Sequence, residues 1–394
     1  MSHLKVIFGF LIDGAEMTIA VPPDKLASIV AALDATLSRS RIPFVPYCRL
    51  LGRLRHLAAI LPAGLGLFSP LNKALRGAPS MVGLGKRSEV RLNLVDLRAL
   101  LLSAAERPTH VNEIVHVWPS DAGYVDASVV GVGGVLFPLT ENGRSIVWRL
   151  LWPADITAAI RSTANPGGTI TNSDLEQAGV VLQFAIWAAN FAPMHRSLLI
   201  FTDNASAVSW STRMSDKSTG PIAGRLLRGL AYLRRETESA PAHVIHVPGP
   251  LNLMADFASR CRALSDTTFL SLFTARFPRQ RNSWTLVQPN SEICASIIST
   301  LRGQRRDLQS WTAKSEKLLG RHGPNTAAST GDQTRTYPTS SPLPIPRMQP
   351  RSTAADKACS GRRSLWHLRH GSGRGSSERE IQCVTALLTL RCDS

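Results

Sequence analysis

Between residues 113 and 264 the apolar positions switch period several times, and each switch predicts a new element. "GYVDASVVGVGGVLF" (123–137) alternates as a strand, with Gly131, Gly133 and Gly134 permitting a bend or bulge. "RSIVWRLLWP" (144–153) predicts a second strand and "GGTIT" (167–171) a short third. In "NSDLEQAGVVLQFAIWAANFA" (172–192), Leu175, Ala178, Leu182, Ile186 and Ala189 fall on one face of an amphipathic helix. "RSLLIFTDNASAV" (196–208) is an apolar strand that ends at Asp203 and turns into a helix capped by Asn204. A helix with a basic face follows in "GPIAGRLLRGLAYLRRETE" (220–238), then a fifth strand in "AHVIHVPG" and a last helix in "NLMADFASRCRAL". Neighbouring strands followed by alternating helix and strand imply an α/β fold, a mixed five-stranded sheet with helices on both faces.

The flanks read differently. Residues 1–112 are mostly helical after a short strand at 6–12. "PPDKLASIVAALDATL" places Leu26, Ile29, Val30, Leu33 and Leu37 on one face behind a proline start, and "CRLLGRLRHLAAIL" and "RSEVRLNLVDLRALLLSAAE" are further helices. Residues 265–319 read as a linker region with one helix near 293–301. Residues 320–394 are rich in Ser, Thr, Arg, Gly and Pro ("SSPLPIPRMQPRS") and are expected to be a disordered basic tail.

Charge narrows the partner class. The 394 residues carry a formal net charge of +17, which favours a polyanionic partner, most often nucleic acid. The tail from Arg321 supplies 11 Lys/Arg against 5 Asp/Glu, so most of the excess lies elsewhere. The six cysteines are scattered without a CxxC pair and read as reduced thiols, which places the chain inside the cell, in cytoplasm or nucleus. No apolar run approaches the roughly 18 residues of a membrane helix, and the start "LKVIFGFLIDG" lacks the features of a secretory signal.

Five residues are candidates for chemistry, and each also has an ordinary structural reading. Asp126 lies within the first strand and could be a plain strand residue. Glu176 closes "SDLE", which fits a capping box on Ser173. Asp203 could stabilise a turn. Asp256 could pair with Arg260 one helical turn on, and His246 could be a polar strand end. Their order decides the reading, because functional residues of such sheets gather where strands end and helices begin.

That ordered set resembles ribonuclease H, and more closely the reverse transcriptase–ribonuclease H polyprotein of DIRS-like or gypsy-like retrotransposons. "YVDASVVGVGGVLF" looks like the first strand of that family, with Asp126. "NSDLEQAGVVL" looks like its helix with Glu176, and "FTDNASAV" like its third motif with Asp203. "HVPGPLNLMADFASR" is similar to the closing motif, carrying His246, Gly249, Asn252 and Asp256, then the Ser-Arg common in such elements. "GFLIDGAEMTIAVPPDKL" and "LLGRLRHLAAILPAGLGLF" resemble the segments after the polymerase palm, so residues 6–262 match in outline. The resemblance implies a truncated thumb/connection-like region at 1–112 and a ribonuclease H-like domain at 113–264. It also implies endonucleolytic hydrolysis of the RNA strand of RNA–DNA hybrids.

Four gathered carboxylates repel one another, and hard divalent cations relieve this, which points to two Mg²⁺ or Mn²⁺ ions. In the implied two-metal scheme, Asp126 bridges the ions, Glu176 and Asp203 hold one, Asp256 holds the other, and His246 assists proton transfer. The arginines of 225–235 are candidates for holding phosphates, against a solvated helix face as the alternative. The chain has no Asp-Asp pair, which the polymerase palm needs, so polymerase activity is not expected. Integrase-like proteins usually place their Glu last, and proofreading-type exonucleases open with Asp-x-Glu; neither pattern fits. The non-enzymatic alternative is a catalytically inactive retroelement remnant that binds nucleic acid.

Overall fold

The computed structural model describes residues 3–62, 64–77, 79–140, 143–214, 221–261, 264–278 and 283–304. The tail expected to be disordered lies outside them. The described residues belong to one compact unit, Met1–Thr326.

The N-terminal stretch opens on β1 (Leu4–Ile7), β2 (Phe10–Asp13) and β3 (Thr18–Ala20). The predicted single strand at 6–12 is therefore a hairpin. Phe8 and Gly9 both sit at positive φ (50° and 74°), the two-residue turn that matches the twist of paired strands. Then come α1 (Pro23–Leu37), β4 (Arg41–Pro43), α2 (Phe44–Ala58), α3 (Phe68–Lys73), β5 (Met81–Gly83), α4 (Glu89–Glu106) and β6 (Thr109–His110). Ile29 and Leu33 of α1 are buried as the periodicity requires, and Ser88 caps α4 through the Arg91 amide.

The main sheet is built from β7 (Asp121–Ala127), β8 (Gly131–Pro138), β9 (Ser145–Leu151), β10 (Leu198–Thr202), β11 (His243–His246) and β12 (Trp284–Leu286), in the order β11-β10-β7-β8-β9-β12. It has six strands rather than five, and the membership also differs from expectation. The single strand predicted at 123–137 is the antiparallel pair β7–β8, which turns at Ser128–Val130. "GGTIT" forms only an isolated bridge between Ile170 and Ile160. The sixth strand, β12, pairs in parallel with β9 and comes from the stretch expected to be a linker. That stretch also carries α10 (Asp266–Arg276) and α11 (Ser291–Leu301). Phe269, Phe273 and Trp284 bury their rings there beside Phe257, and Ile293, Ile297 and Leu301 join the core.

The remaining helices are α5 (Ala154–Ala159), α6 (Asn172–Asn190), α7 (Ala205–Arg213), α8 (Ile222–Thr237) and α9 (Leu253–Arg260). The α6 helix is not amphipathic. Its residues from Asp174 to Ala188 are all buried, because α7, α8 and α11 cover the side turned away from the sheet. Opposite faces of β8 meet different helices. A Cβ at Gly134 would stand 2.7 Å from Gln183 Oε1 of α6, and one at Gly133 would stand 2.6 Å from the backbone of Ala258 in α9. Both glycines are thus required by close approach rather than by a bulge. The Gln183 amide uses the space by accepting from Trp148 Nε1 (2.6 Å) and donating to the Val135 carbonyl (2.7 Å).

The basic helix α8 overturns the phosphate-holding expectation. Arg225, Arg228, Arg234 and Arg235 are buried. Arg225 pairs with Glu89 at 2.8 Å, Arg228 with Asp96 at 3.4 Å, and Arg235 with Glu113 at 3.6 Å. Burial lowers the affinity of Arg234 and Arg235 for their protons, to about 10, which leaves both charged at neutral pH. These cations face polar groups of residues 89–113, and Arg225 also the Gly303 carbonyl, so neither a phosphate grip nor a solvated face describes them. No described helix is long and apolar enough to cross a membrane.

Candidate metal centre

The strands β7, β10 and β11 run parallel, so the C-terminal ends of all three lie at one end of the sheet. Asp126 is the penultimate residue of β7, and Asp203 follows β10 directly. Glu176 enters from α6. Carboxylate oxygens of Asp126, Glu176 and Asp203 all lie within 4.8 Å of one another. Glu176 can take this place because it is not the capping residue. The helix starts earlier than its sequence suggests, with Thr171 as N-cap and Asp174 completing the capping box.

The strand β7 carries two aspartates, and their surroundings separate them. Asp121, at the far end, is saturated: it accepts from Arg196 Nη2 at 2.9 Å, Trp187 Nε1 at 2.8 Å and Ser120 Oγ at 2.9 Å. Asp126 has one side-chain donor, the buried Ser259 hydroxyl of α9, at 2.5 Å. Burial raises the Asp126 carboxyl above its usual range, Ser259 opposes this, and the charges of Asp203 and Asp256 add to the rise. Glu176 is pushed up to about 9, by burial first and then by Asp126 and Asp203, against the Ala127 amide and the Thr202 hydroxyl. The cluster is therefore under electrostatic strain that a cation would relieve.

Asp256 is not among the three gathered carboxylates. Its Oδ1 accepts from Arg260 Nε at 2.5 Å on the outer side of α9, the i,i+4 pairing that its sequence position allows. It still acts on Asp126 electrostatically, so it borders the cluster. His246 ends β11 with an exposed ring whose Nε2 lies 3.1 Å from the Asp203 carbonyl oxygen. The turn after it lies against the site, since a Cβ at Gly249 would stand 3.2 Å from Asp203 Oδ2. Asn252 anchors that turn by donating Nδ2 to the Val125 carbonyl at 3.0 Å.

Two supporting residues escape sequence reasoning. Ser259 is visible only as half of a Ser-Arg dipeptide, and nothing local says that its hydroxyl reaches a strand 133 residues away. Thr202 looks like an ordinary β-branched strand residue, yet its Oγ1 lies 3.4 Å from Glu176 Oε2. Thr202 and Asp203 adjoin, so the end of β10 serves two carboxylates at once.

The donor set fits a hard divalent cation. Its three carboxylate oxygens, within 4.8 Å of one another, would have to draw closer to share an ion at the roughly 2.1 Å that Mg²⁺ prefers.

No known protein family and no curated protein matches the chain. Among solved structures, it has a distant similarity to the foamy viral protease-reverse transcriptase. Against the complex with dsDNA the identity is 10% and the TM-score 0.25, covering 73% of this chain and 45% of that one. Against the complex with RNA/DNA hybrid the identity is 8% and the TM-score 0.24, covering 72% and 29%. The chain thus spans less than half the length of the proteins it is compared with.

Proposed function

We propose that this chain is a ribonuclease H-type nuclease that hydrolyses the RNA strand of RNA–DNA hybrids with Mg²⁺ or Mn²⁺. The observation that carries the reading is the gathering of Asp126, Glu176 and Asp203 at the sheet's C-terminal edge, with two of the three buried and none engaged by a basic side chain in a salt bridge among the described residues. Asp121, a structural carboxylate on the same strand, is by contrast matched by Arg196. Asp126, Glu176 and Asp203 would hold the first ion and Asp256 would contribute to a second. When bound, such ions supply an activated water and charge stabilisation at the phosphodiester. The protein's own share is orientation. Ser259 fixes Asp126, Thr202 and the Ala127 amide hold Glu176, and the exposed His246 can carry a proton at the mouth. The excess positive charge suits a nucleic-acid backbone.

The test is cleavage of an end-labelled RNA–DNA hybrid by the purified full chain, with Mg²⁺ and with chelator. Metal-dependent cutting of the RNA strand that disappears in Asp126→Asn supports the reading. Hybrid binding without cleavage at any Mg²⁺ or Mn²⁺ concentration would instead identify a nucleic-acid-binding remnant. His246→Ala should slow cleavage roughly 10²-fold while leaving ion affinity unchanged.

A further inference from the structure

Ser259 and Arg260 are adjacent on the last turn of α9 and point opposite ways. Ser259 is buried against Asp126, while the Arg260 side chain is 61% exposed and reaches Asp256. We propose that Arg260 is a built-in cation that occupies the outer carboxylate of the acidic site until a divalent ion displaces it, and so sets the ion concentration at which the site fills. The inference rests on the metal-site reading above and adds its regulation.

Three observations support it. First, the contact is of a releasable kind. Only Nε of Arg260 is engaged, on one oxygen of a carboxylate that is itself 43% exposed. Arg107, by contrast, grips the buried Glu113 with two nitrogens, at 2.6 and 2.9 Å. An exposed one-point pair is weak enough for an ion to replace, whereas a buried two-point pair is not. Second, Arg260 belongs electrostatically to the site and not only to its own helix. Its charge is stabilised by Asp256 first and also by Asp126 and Asp203, and it acts in turn on Asp126. Third, the side chain has no other hydrogen-bond partner among the described residues, so release breaks no second hydrogen bond.

The consequence is competition. While Arg260 holds Asp256 Oδ1, that oxygen is unavailable to an ion, and the guanidinium repels any cation arriving beside Asp126 and Asp203. Displacement frees the oxygen and releases the guanidinium toward solvent, where 61% of the side chain already lies.

The experiment is calorimetric titration of the full chain with Mn²⁺ alone, without substrate, comparing the parent with Arg260→Gln, Arg260→Lys and Asp126→Asn. Arg260→Gln is expected to bind Mn²⁺ about fivefold more tightly, the scale set by an exposed ion pair. Arg260→Lys, which keeps the charge, should stay near the parent. Thermal melting supplies the second readout. In chelator Arg260→Gln should melt below the parent, having lost the resident cation, and in saturating Mn²⁺ the deficit should vanish. Equal or weaker Mn²⁺ affinity in Arg260→Gln, with parental binding that Asp126→Asn abolishes, overturns this inference and leaves the metal site standing. Absence of Mn²⁺ binding in the parent and in every variant overturns both.

Discussion

Ser259 of α9 donates its hydroxyl hydrogen to Asp126 Oδ2 of β7 at 2.5 Å, joining the two elements that carry Asp256 and Asp126. The same serine offers its backbone oxygen to Ser128 Oγ at 3.0 Å, and Ser128 shapes the β7–β8 turn. Ser259, and with it its contact to Asp126, is thus tied to the β7–β8 turn. Removing the hydroxyl in Ser259→Ala should loosen Asp126 and weaken Mn²⁺ binding by roughly tenfold or more, the usual scale for a group that orients a metal ligand. Calorimetric titration measures this. Unchanged affinity, with the melting temperature retained, would show the hydrogen bond to be idle.

Gly133 is the residue that lets α9 come close enough for that contact. It lies directly opposite Asp126 in the β7–β8 ladder. A Cβ there would stand 2.6 Å from the Ala258 backbone carbon and 2.7 Å from the Ser259 amide nitrogen, and backbone cannot yield as a flexible side-chain tip can. Gly133→Ala should therefore lift α9 from the sheet, cost about 1–3 kcal/mol of stability, and weaken Mn²⁺ binding along with it. Denaturant unfolding and the same titration test this together. A variant as stable as the parent would mean that α9 shifts freely.

The raised affinity of Glu176 for its proton predicts an unusual pH dependence. Its carboxyl is lifted from an ordinary 4.5 to about 9, so the folded state binds more protons than the unfolded chain between those values. Stability of the metal-free protein should then be fullest below about pH 4.5, as far as this group is concerned, and fall as pH rises toward about 9. Glu176→Gln should flatten the fall and raise the melting temperature at pH 8 in chelator. Saturating Mn²⁺ should reverse the trend in the parent, because the ion takes the proton's place. A flat melting profile from pH 5 to 9 in chelator would contradict the burial argument.

The arginines of α8 make a separate prediction about stability. Arg235 is almost wholly buried, with Nη1 at 3.6 Å from Glu113 and 3.2 Å from Thr109 Oγ1, and Nε at 3.2 Å from Ser103 Oγ. Arg235→Met should cost about 3 kcal/mol, because the buried Glu113 then keeps only its ion pair with Arg107 among the described residues and the Ser103 and Arg107 carbonyls lose their donor. Hybrid binding per folded molecule should stay unchanged, which a role in holding phosphates would not allow.

Much of this architecture was legible in the sequence, and the failures have physical causes. Strand and helix periods located α6, β10, α8, β11 and α9, since each keeps one period for its whole length. The β7–β8 hairpin was hidden because Val129 and Val130 continue the apolar run of the strands around them, and Ser128 alone is a weak turn signal. The sixth strand was missed because three residues carry too little pattern. The α8 arginines misled for a general reason: a charged residue buried against a distant carboxylate looks locally like one facing water. Of the site, Asp126, Glu176 and Asp203 were legible as an ordered set, and their meeting depends on parallel strand pairing that spacing alone does not state. The Arg260 pairing of Asp256 was legible as an i,i+4 alternative. The Ser259 contact was not, because it is a product of packing.

The ion pairs of α8 also bear on the order in which the chain is made. Glu113 emerges from the ribosome soon after Arg107, and the two can pair at once, six residues apart. Arg235 follows 128 residues behind Arg107, whose carbonyl it then binds. The N-terminal helices can therefore assemble early with Glu113 already paired to Arg107, but the place of Arg235 stays open until β7 to β10 have been synthesised. A chain cut between residues 112 and 113 would strand arginines that expect burial against carboxylates on the other side of the cut. The two halves read as separable modules in sequence, yet buried ion pairs cross the boundary between them.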